Sequence, residues 1–271
     1  MLGKLMKYDM KSCWKKFWPI WAALIALSVI NGISIVYCET TRQFTFMTEA
    51  LPKIILACVS IAAFVIACIY IEQEFGHGLL GREGYLRLTL PATETEHIAS
   101  KGLTALLLEV ISGIVVLICV VLIVLIVEPK IFTEFFGECG NLWIESGAPG
   151  LLILIVLVFV LFMLMSAVTF NFHIYLPLCI GHLCPKHRNV VAVACCLGLC
   201  ILSISLGFNV VLPACFKVMD LQEFSNGVYT LKGQLQGTIL AMLIAVGFEL
   251  VYSALMFFSV RFILEKKLNL E

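Results

Sequence analysis

The polar side chains that could do chemistry in this chain lie inside long apolar runs. Glu249 stands in IAVGFELVYSAL, Glu109 in LTALLLEVISG, and Asn171 and His173 in VTFNFHIYL. A carboxyl group at the centre of a bilayer costs roughly 2.5–3.5 kcal/mol on insertion scales, so such groups generally face protein or water. These residues predict either a polar substrate pathway, in which Glu249 could carry a proton, or hydrogen-bonded side chains that only fix helix packing.

Six apolar segments must position these groups. Charged residues make up 13% of the 271 residues and hydrophobic residues 61%, whereas a soluble domain has about 25% charged residues. A helix that crosses a bilayer needs ~20 apolar residues. Runs of that length cover residues 18–38, 52–71, 103–127, 150–178, 190–212 and 238–262. The sequence therefore predicts an all-α integral membrane protein with six transmembrane helices.

The distribution of Lys and Arg predicts which side of the membrane the termini face. Thirteen of the 18 basic residues fall in the N-terminal stretch, the C-terminal tail and the two loops on the same side, and five fall on the other side. By the positive-inside rule, both termini are expected in the cytoplasm. The formal net charge of zero argues against a nucleic-acid partner.

Residues 1–17 predict an amphipathic helix before the first span, because apolar residues recur there at spacings of three and four, with lysines opposite. A cationic helix with aromatic residues is expected to lie in the membrane interface. The alternative is a positive flank that only orients the first span. The candidate interface residues are Lys4, Lys7, Lys11, Trp14, Lys15 and Phe17.

The segment 72–102 is the longest polar stretch on the predicted cytoplasmic side, and it contains GREGYLRLTLPATETEHIASKG. Gly81, Gly84 and Pro91 interrupt regular structure, and Thr93 or Thr95 is a suitable N-cap for a new helix. Between Gly84 and Pro91, a short apolar patch surrounds Arg87. An exposed apolar patch rimmed by charge favours a protein partner. The alternative is a loop folded onto its own membrane domain.

Other patterns in the sequence point less clearly to a functional site. The stretch CIGHLCPKHRN holds Cys179, His182, Cys184 and His187, which could bind a metal, but without the paired spacing typical of zinc sites. Small residues four apart, Ala192, Cys196 and Cys200, predict a closely packed and buried fifth helix. Most of the twelve cysteines lie in apolar segments, so no disulfide framework is expected. Residues 213–237 predict either a short surface or re-entrant helix or an ordinary loop.

No phosphate-binding loop of the GxxxxGK[ST] type occurs in the sequence, and neither do the GxSxG, HExxH or GxGxxG patterns. The chain is therefore not expected to be an enzyme by itself or to bind ATP by that route.

Three stretches together resemble a known family. GYLRLTLPATETEHIASK resembles the first cytoplasmic loop of small bacterial ABC-2-type transporter permeases, MLGKLMKYDMK is similar to their N-terminus, and IGHLCPKHRN to their second cytoplasmic loop. The resemblance implies one permease domain over residues 1–271 in the bacterial cytoplasmic membrane. It also implies an interface helix over 1–17, a coupling loop over 72–102 and an outer hairpin over 213–237.

The resemblance also implies partners. Such permeases pair with a second permease, identical or related, and with two copies of a separate ATPase that binds ATP and Mg²⁺; the permease holds no cofactor or metal. A coupling helix in the first loop docks on the ATPase. The residues matched to it are Glu83, Gly84, Tyr85, Leu86, Leu88, Thr89 and Pro91.

The implied function is export of an amphipathic substrate, such as an antimicrobial peptide, a lipid or a drug. Two other hypotheses stay open. One is a proton-coupled secondary transporter that uses Glu249 and Glu109, although the two halves of the sequence do not resemble each other. The other is a membrane scaffold without transport activity. Glu249 matches no motif of the family.

Overall fold

The computed structural model describes residues 2–41, 47, 50–76, 94–145, 147–184, 186–225 and 231–266. These residues form helices and short connections, and no strand occurs among them. The helices are α1 (Leu2–Thr41), α2 (Leu51–Phe75), α3 (Glu94–Val127), α4 (Lys130–Glu145), α5 (Pro149–His182), α6 (Arg188–Leu206), a π-helical turn (Gly207–Val211), α7 (Leu212–Ser225) and α8 (Leu231–Lys266).

Among the described residues, six helical stretches are long and apolar enough to cross a membrane, which confirms the six predicted spans. They are Met6–Thr41, Leu51–Phe75, Thr95–Val127, Pro149–His182, Arg188–Asp220 and Lys232–Glu265. Each is longer than the apolar run that predicted it, because the backbone stays helical beyond the hydrophobic residues. At 1.5 Å per residue, the 34 residues of α5 extend about 51 Å, well beyond a hydrocarbon core of about 30 Å.

The N-terminal lysine-rich stretch and the first span form one continuous helix. Helix α1 has 40 residues and contains Pro19 at the point where the lysines end. The helical prediction for residues 1–17 is thus confirmed from Leu2 onward. The position of this part in the membrane interface stays a prediction.

Two predicted connections on the side opposite the termini contain helices. The segment between the third and fourth spans, expected as a loop, holds the 16-residue helix α4. For residues 213–237 the sequence predicted a short surface or re-entrant helix or a loop, whereas α7 continues the fifth spanning stretch from the π-helical turn to Ser225. Gly147 adopts a positive φ of 56°, which glycine tolerates without strain, just before Pro149 begins α5.

Contacts divide the chain into two compact units. The first comprises Met1–Gln73 and Ala99–Glu138. Its core contains Cys13, Phe17, Trp21, Leu24, Tyr70, Leu108, Val115 and Cys119. Within it the Trp21 indole N–H donates a hydrogen bond to the Ser112 hydroxyl at 3.2 Å, and Lys101 forms an ion pair with Asp9 at 3.0 Å. The hydrogen bond and the ion pair join α1 to α3, and Tyr70 brings α2 into the same core.

The second unit comprises Glu74–Ile98 and Cys139–Glu271. Its described helices pack around α5, which contacts both α6 and α8, while α7 packs on α8. The turn between α5 and α6 is tight: a Cβ atom on Gly181 would lie 2.7 Å from the Arg188 carbonyl oxygen and 2.9 Å from Ala192 Cβ. Only glycine fits at that approach.

Candidate functional site

A cavity of about 630 Å³ lies within the second unit. Helices α5 and α6, the π-helical turn, α7 and α8 line it. Most of its surface is apolar, with a small set of polar side chains: Ser166, Thr169, His173, Ser203, Glu249 and Tyr252. The size and the few polar groups in an apolar wall are typical of sites for small ligands.

Glu249 is bound to α5 through Thr169. The Thr169 hydroxyl lies 2.5 Å from Glu249 Oε2 and 3.1 Å from the Met165 carbonyl oxygen. A hydroxyl has one hydrogen to donate and two lone pairs to accept with. Thr169 can therefore donate to an ionised Glu249, or accept from a protonated Glu249 and donate to Met165. The contact accommodates both protonation states of the carboxyl group.

His173 and Tyr252 form a second polar contact between the same helices. His173 Nδ1 lies 2.9 Å from the Thr169 carbonyl oxygen, and Nε2 lies 3.5 Å from the Tyr252 hydroxyl. Because a carbonyl oxygen only accepts, Nδ1 carries a hydrogen in this network. In the neutral imidazole, Nε2 is then the acceptor for the Tyr252 O–H.

The two contacts give the register of α5 against α8. Thr169 and Glu249 are separated by 80 residues, and His173 and Tyr252 by 79. A nearly constant offset means that the two helices run in the same direction, as expected for the fourth and sixth spans of one chain. Thr169 and His173 are four residues apart, and Glu249 and Tyr252 three apart, so each pair shares one helix face.

Aromatic rings form much of the apolar wall. Phe162 and Phe170 belong to α5, and Phe248 and Tyr252 to α8. The Phe248 and Tyr252 rings are stacked with centroids 5.8 Å apart and planes 9° apart. Both rings therefore lie next to Glu249 on the same helix. No Lys or Arg occurs among the described residues that line the cavity.

Several small residues of α6 line the cavity, whereas Ala192 packs closely on Gly181 of α5. No residue of α6 is buried, so the prediction of a buried fifth helix is wrong. Cys196, Cys200 and Ser203 face the cavity, and the Cys196 thiol contacts the His173 carbonyl oxygen at 3.7 Å. Their small side chains leave open space between helices rather than a close packing contact.

The structure brings together two of the four predicted pathway residues. Glu249 and His173 line the cavity. Asn171 is 2% exposed and bonds the Ala167 carbonyl oxygen of its own helix at 3.1 Å, so it does not line the cavity. Glu109 belongs to α3 in the first unit and does not line it either.

Thr169, Ser203 and Tyr252 were not predicted as site residues. For Thr169 and Tyr252 the spacing could have indicated a place in the site, because Thr169 lies one turn before His173 and Tyr252 one turn after Glu249. Such spacing places them on the same face as an already suspected group. It does not show which helices meet.

The remaining predicted residues lie elsewhere. Lys7, Lys11, Trp14 and Lys15 are exposed on α1, whereas Phe17 is 2% exposed and packs edge-on against Tyr70 at 5.3 Å. The side chain of Lys4 is outside the described part of the chain. So are all the residues matched to the coupling helix: Glu83, Gly84, Tyr85, Leu86, Leu88, Thr89 and Pro91.

Within the described residues, no three His, Cys, Asp or Glu side chains come close enough to hold a metal ion. Cys179, His182, Cys184 and His187, all described, do not form such a group. All twelve cysteines are free thiols.

Comparison with known proteins gives no match: no family model fits the chain, and no curated protein or solved structure is significantly similar to it. The resemblance to ABC-2-type permeases therefore stays a prediction from the quoted stretches.

Proposed function

We propose that this chain is the membrane-spanning permease subunit of an ATP-driven exporter. The observation that carries the proposal is the cavity in the second unit, where a carboxyl group and an imidazole lie among aromatic rings on spanning helices. A protein that only scaffolds a membrane complex needs no such cavity, whereas a transporter needs a place for its substrate. An amphipathic substrate suits a wall that is mostly apolar with a few polar groups.

The proposed energy source rests on the resemblance of three stretches of the sequence to ABC-2-type permeases. The chain lacks a phosphate-binding loop motif, so ATP and Mg²⁺ would be bound by two copies of a separate ATPase. The apolar patch around Leu86 and Leu88, within the segment that resembles a coupling loop, is the proposed docking site. ATP binding can change the permease only through different affinities of the docked ATPase for its conformational states.

The assembly we propose contains a second permease, identical or related, in the bacterial cytoplasmic membrane. Both termini would face the cytoplasm, where the excess of Lys and Arg lies. The exposed Lys7, Lys11 and Lys15 on α1 suit contact with anionic lipid headgroups.

A second candidate function is proton-coupled transport through Glu249. The geometry that favours it is the Thr169 hydroxyl, which serves Glu249 in either protonation state. The second carboxyl group proposed for this mechanism, Glu109, is not part of the cavity. A relay between two carboxyl groups that share this cavity is therefore not supported.

The deciding experiment is co-purification with an ATPase encoded next to the gene. The chain and the ATPase are co-expressed, purified through a tag on the chain, and assayed for ATP hydrolysis and for transport in vesicles. The proposal expects a stable complex, and Leu86→Asp or Leu88→Asp should uncouple hydrolysis from transport. Ile144→Asp is the matched control, because Ile144 is an exposed apolar residue on α4.

Two results would contradict the proposal. One is failure of the ATPase to co-purify in every nucleotide state. The other is transport driven by a pH gradient in vesicles that contain this chain without any ATPase, which would support the proton-coupled alternative.

A further inference from the structure

We infer that the cavity binds an organic cation, a molecule with a positively charged nitrogen or phosphorus centre and an aromatic or alkyl body. This inference rests on the proposed function, because it names the class of substrate that the permease would take. Three properties of the described residues carry it: the sign of charge in the cavity, the free side of the carboxyl group, and the aromatic rings beside it.

The lining holds one carboxyl group, and the His173 imidazole in the same lining contacts the Thr169 carbonyl oxygen and the Tyr252 hydroxyl rather than Glu249. Glu249 is the only acidic residue in the lining, and neither Lys nor Arg accompanies it among the described lining residues. A carboxylate within a membrane-spanning helix is costly unless a positive charge or hydrogen-bond donors compensate it. A cationic ligand supplies that compensation, whereas an anionic ligand would be repelled.

The carboxyl group has room for a ligand. Thr169 contacts Oε2, and none of the described residues donates a hydrogen bond to the other oxygen, Oε1. Glu249 is half-buried and faces the cavity, so this second oxygen is available to a ligand. Thr169 fixes the orientation of the group and leaves one side of it open.

Aromatic rings lie next to the carboxyl group. Phe248 and Tyr252 stack on each other beside Glu249 on α8, and Phe170 faces the cavity from α5. The face of an aromatic ring attracts a cation by about 0.5–2 kcal/mol, more when water is excluded. The same rings provide apolar contact for the body of the ligand.

The volume limits the size of the ligand. A cavity of about 630 Å³ is in the range that holds a drug-sized molecule. It would hold a small amphipathic cation or the end of a longer one, and not a folded peptide.

The test uses the full chain in lipid nanodiscs with tetraphenylphosphonium as the cation and triphenylphosphine oxide as a neutral analogue. Binding is measured by equilibrium dialysis, with empty nanodiscs subtracted. The wild-type chain should bind the cation saturably and more tightly than the neutral compound. Glu249→Gln keeps the shape of the side chain and should weaken cation binding by at least roughly tenfold, the scale of losing one member of a buried charge pair.

Controls separate the charge from the packing. Glu72→Gln removes an exposed carboxyl group on α2, outside the cavity, and should leave the affinity unchanged. Glu249→Gln should bind the neutral compound as the wild type does. Phe248→Leu should weaken cation binding by roughly threefold, since one cation–π contact is lost.

Equal cation affinity in Glu249→Gln and the wild type would overturn the inference, and so would tighter binding of the neutral compound. If no saturable binding occurs while the ATPase still co-purifies and hydrolyses ATP, the inference fails and the exporter proposal stands. If the cation binds but no ATPase associates, the exporter proposal fails and the binding site stands.

A different observation carries a second inference, which is independent of the cavity: we propose that α4 lies flat in the membrane interface on the side opposite the termini. All of its large apolar residues except Ile144, together with one cysteine, fall within an arc of about 140° at 100° per residue. They are Ile131, Phe132, Phe135, Phe136, Cys139, Leu142 and Trp143, called here the apolar face of α4. The opposite side carries Lys130, Glu134, Glu138 and Asn141.

Most of this face is exposed. Every side chain from Lys130 to Ile144 is exposed except the half-buried Phe132. Phe135 is 60% exposed and Phe136 66% exposed. Exposed aromatic residues on one helix face mark an interaction site.

The connections identify the bilayer as the occupant. Only residues 128 and 129 separate α4 from the spanning helix α3, and only residues 146–148 separate it from α5. Both ends of α4 are therefore held at one membrane surface. A helix of 16 residues, about 24 Å long, lying along that surface places its apolar face at the headgroup boundary, where Trp and Phe are favoured.

Brominated lipids test this position by quenching tryptophan fluorescence. The signal of Trp143 is isolated as the difference between the wild-type chain and Trp143→Phe in nanodiscs. We expect quenching that is stronger for bromine near the headgroup than for bromine near the chain end. Phe136→Ser should reduce this quenching, whereas Ile144→Ser, on the polar side of α4, should not.

Absence of quenching of Trp143 at every bromine position would overturn the inference. Quenching that is equal in Phe136→Ser and the wild type would also overturn it. If a co-purified protein shields Trp143 from the lipid, the face belongs to a protein partner and the inference is wrong.

Discussion

Thr169 on α5 and Glu249 on α8 share a hydrogen bond of 2.5 Å, with the threonine hydroxyl against Oε2 of the carboxyl group. This contact joins two spanning helices at the wall of the cavity and holds the only acidic group of its described lining. It explains how a carboxyl group in the middle of an apolar helix can be retained, since a buried polar group without a partner is costly.

Thr169→Val should destabilise the protein by about 1–3 kcal/mol, because it leaves Glu249 without its donor while the volume of the side chain is nearly kept. Thermal unfolding in nanodiscs measures the change. Thr238→Val is the control: Thr238 lies on α8 and is half-buried, but its hydroxyl bonds only the Gln234 carbonyl oxygen of its own helix. Thr169→Ser should restore most of the stability. Equal effects of the two valine variants would show that the bond contributes nothing.

Lys101→Met should cost about 3–5 kcal/mol of unfolding free energy, since it removes one charge of a buried ion pair and keeps the other charge buried. The Lys101 and Asp9 side chains are 4% and 11% exposed. Arg261→Met is the comparison, because the exposed Arg261–Glu265 pair should contribute less than about 1 kcal/mol. Chemical unfolding in mixed micelles measures both. A Lys101 variant as stable as the Arg261 variant would contradict the burial of the pair.

Gly181→Ala should destabilise the turn between α5 and α6 by about 1–3 kcal/mol, as for other overpacked sites. The added methyl group would meet the Arg188 carbonyl oxygen and Ala192 at less than 3 Å, and a backbone atom cannot rotate away. Gly198→Ala on α6 has open space around it and should be neutral or stabilising by up to about 1 kcal/mol. Thermal unfolding of both variants checks the difference, and a stable Gly181→Ala would refute this close approach.

A positively charged, water-soluble thiosulfonate should modify Cys196 and Cys200 in the folded chain, because both thiols line a cavity of about 630 Å³ that contains polar groups, which we expect to be hydrated. Cys58 is exposed on the spanning helix α2 and should stay unmodified, since lipid rather than water surrounds it. Cys179 is buried and should also stay unmodified. Peptide mass spectrometry after a timed reaction measures all four thiols. Modification of Cys58 before Cys200 would indicate that the cavity is closed to water.

The helical organisation was predictable because it depends on local composition. An apolar run of twenty residues must satisfy its own backbone hydrogen bonds in lipid, and a helix does so within the segment. The helix α4 was not predicted. Its apolar residues recur with the helical period, but a helix of sixteen residues is too short to be recognised as a transmembrane segment. The outcome for α6 shows a second limit. Its small residues Ala192, Cys196 and Cys200 were predicted to pack against another helix; Ala192 does so on Gly181, but the two cysteines line the cavity.

Composition and the order of apolar runs by themselves determined six spanning helices, and they marked Glu249 and His173 as costly groups that need partners. Only the tertiary structure decided which partners these are, because Thr169 and Tyr252 reach them from helices about 80 residues away in the chain. It also decided that Asn171 and Glu109 stay outside the cavity. The physical reason is that a helix face is set locally by the 3.6-residue period, whereas the choice of neighbouring helix depends on packing between segments that no local pattern records.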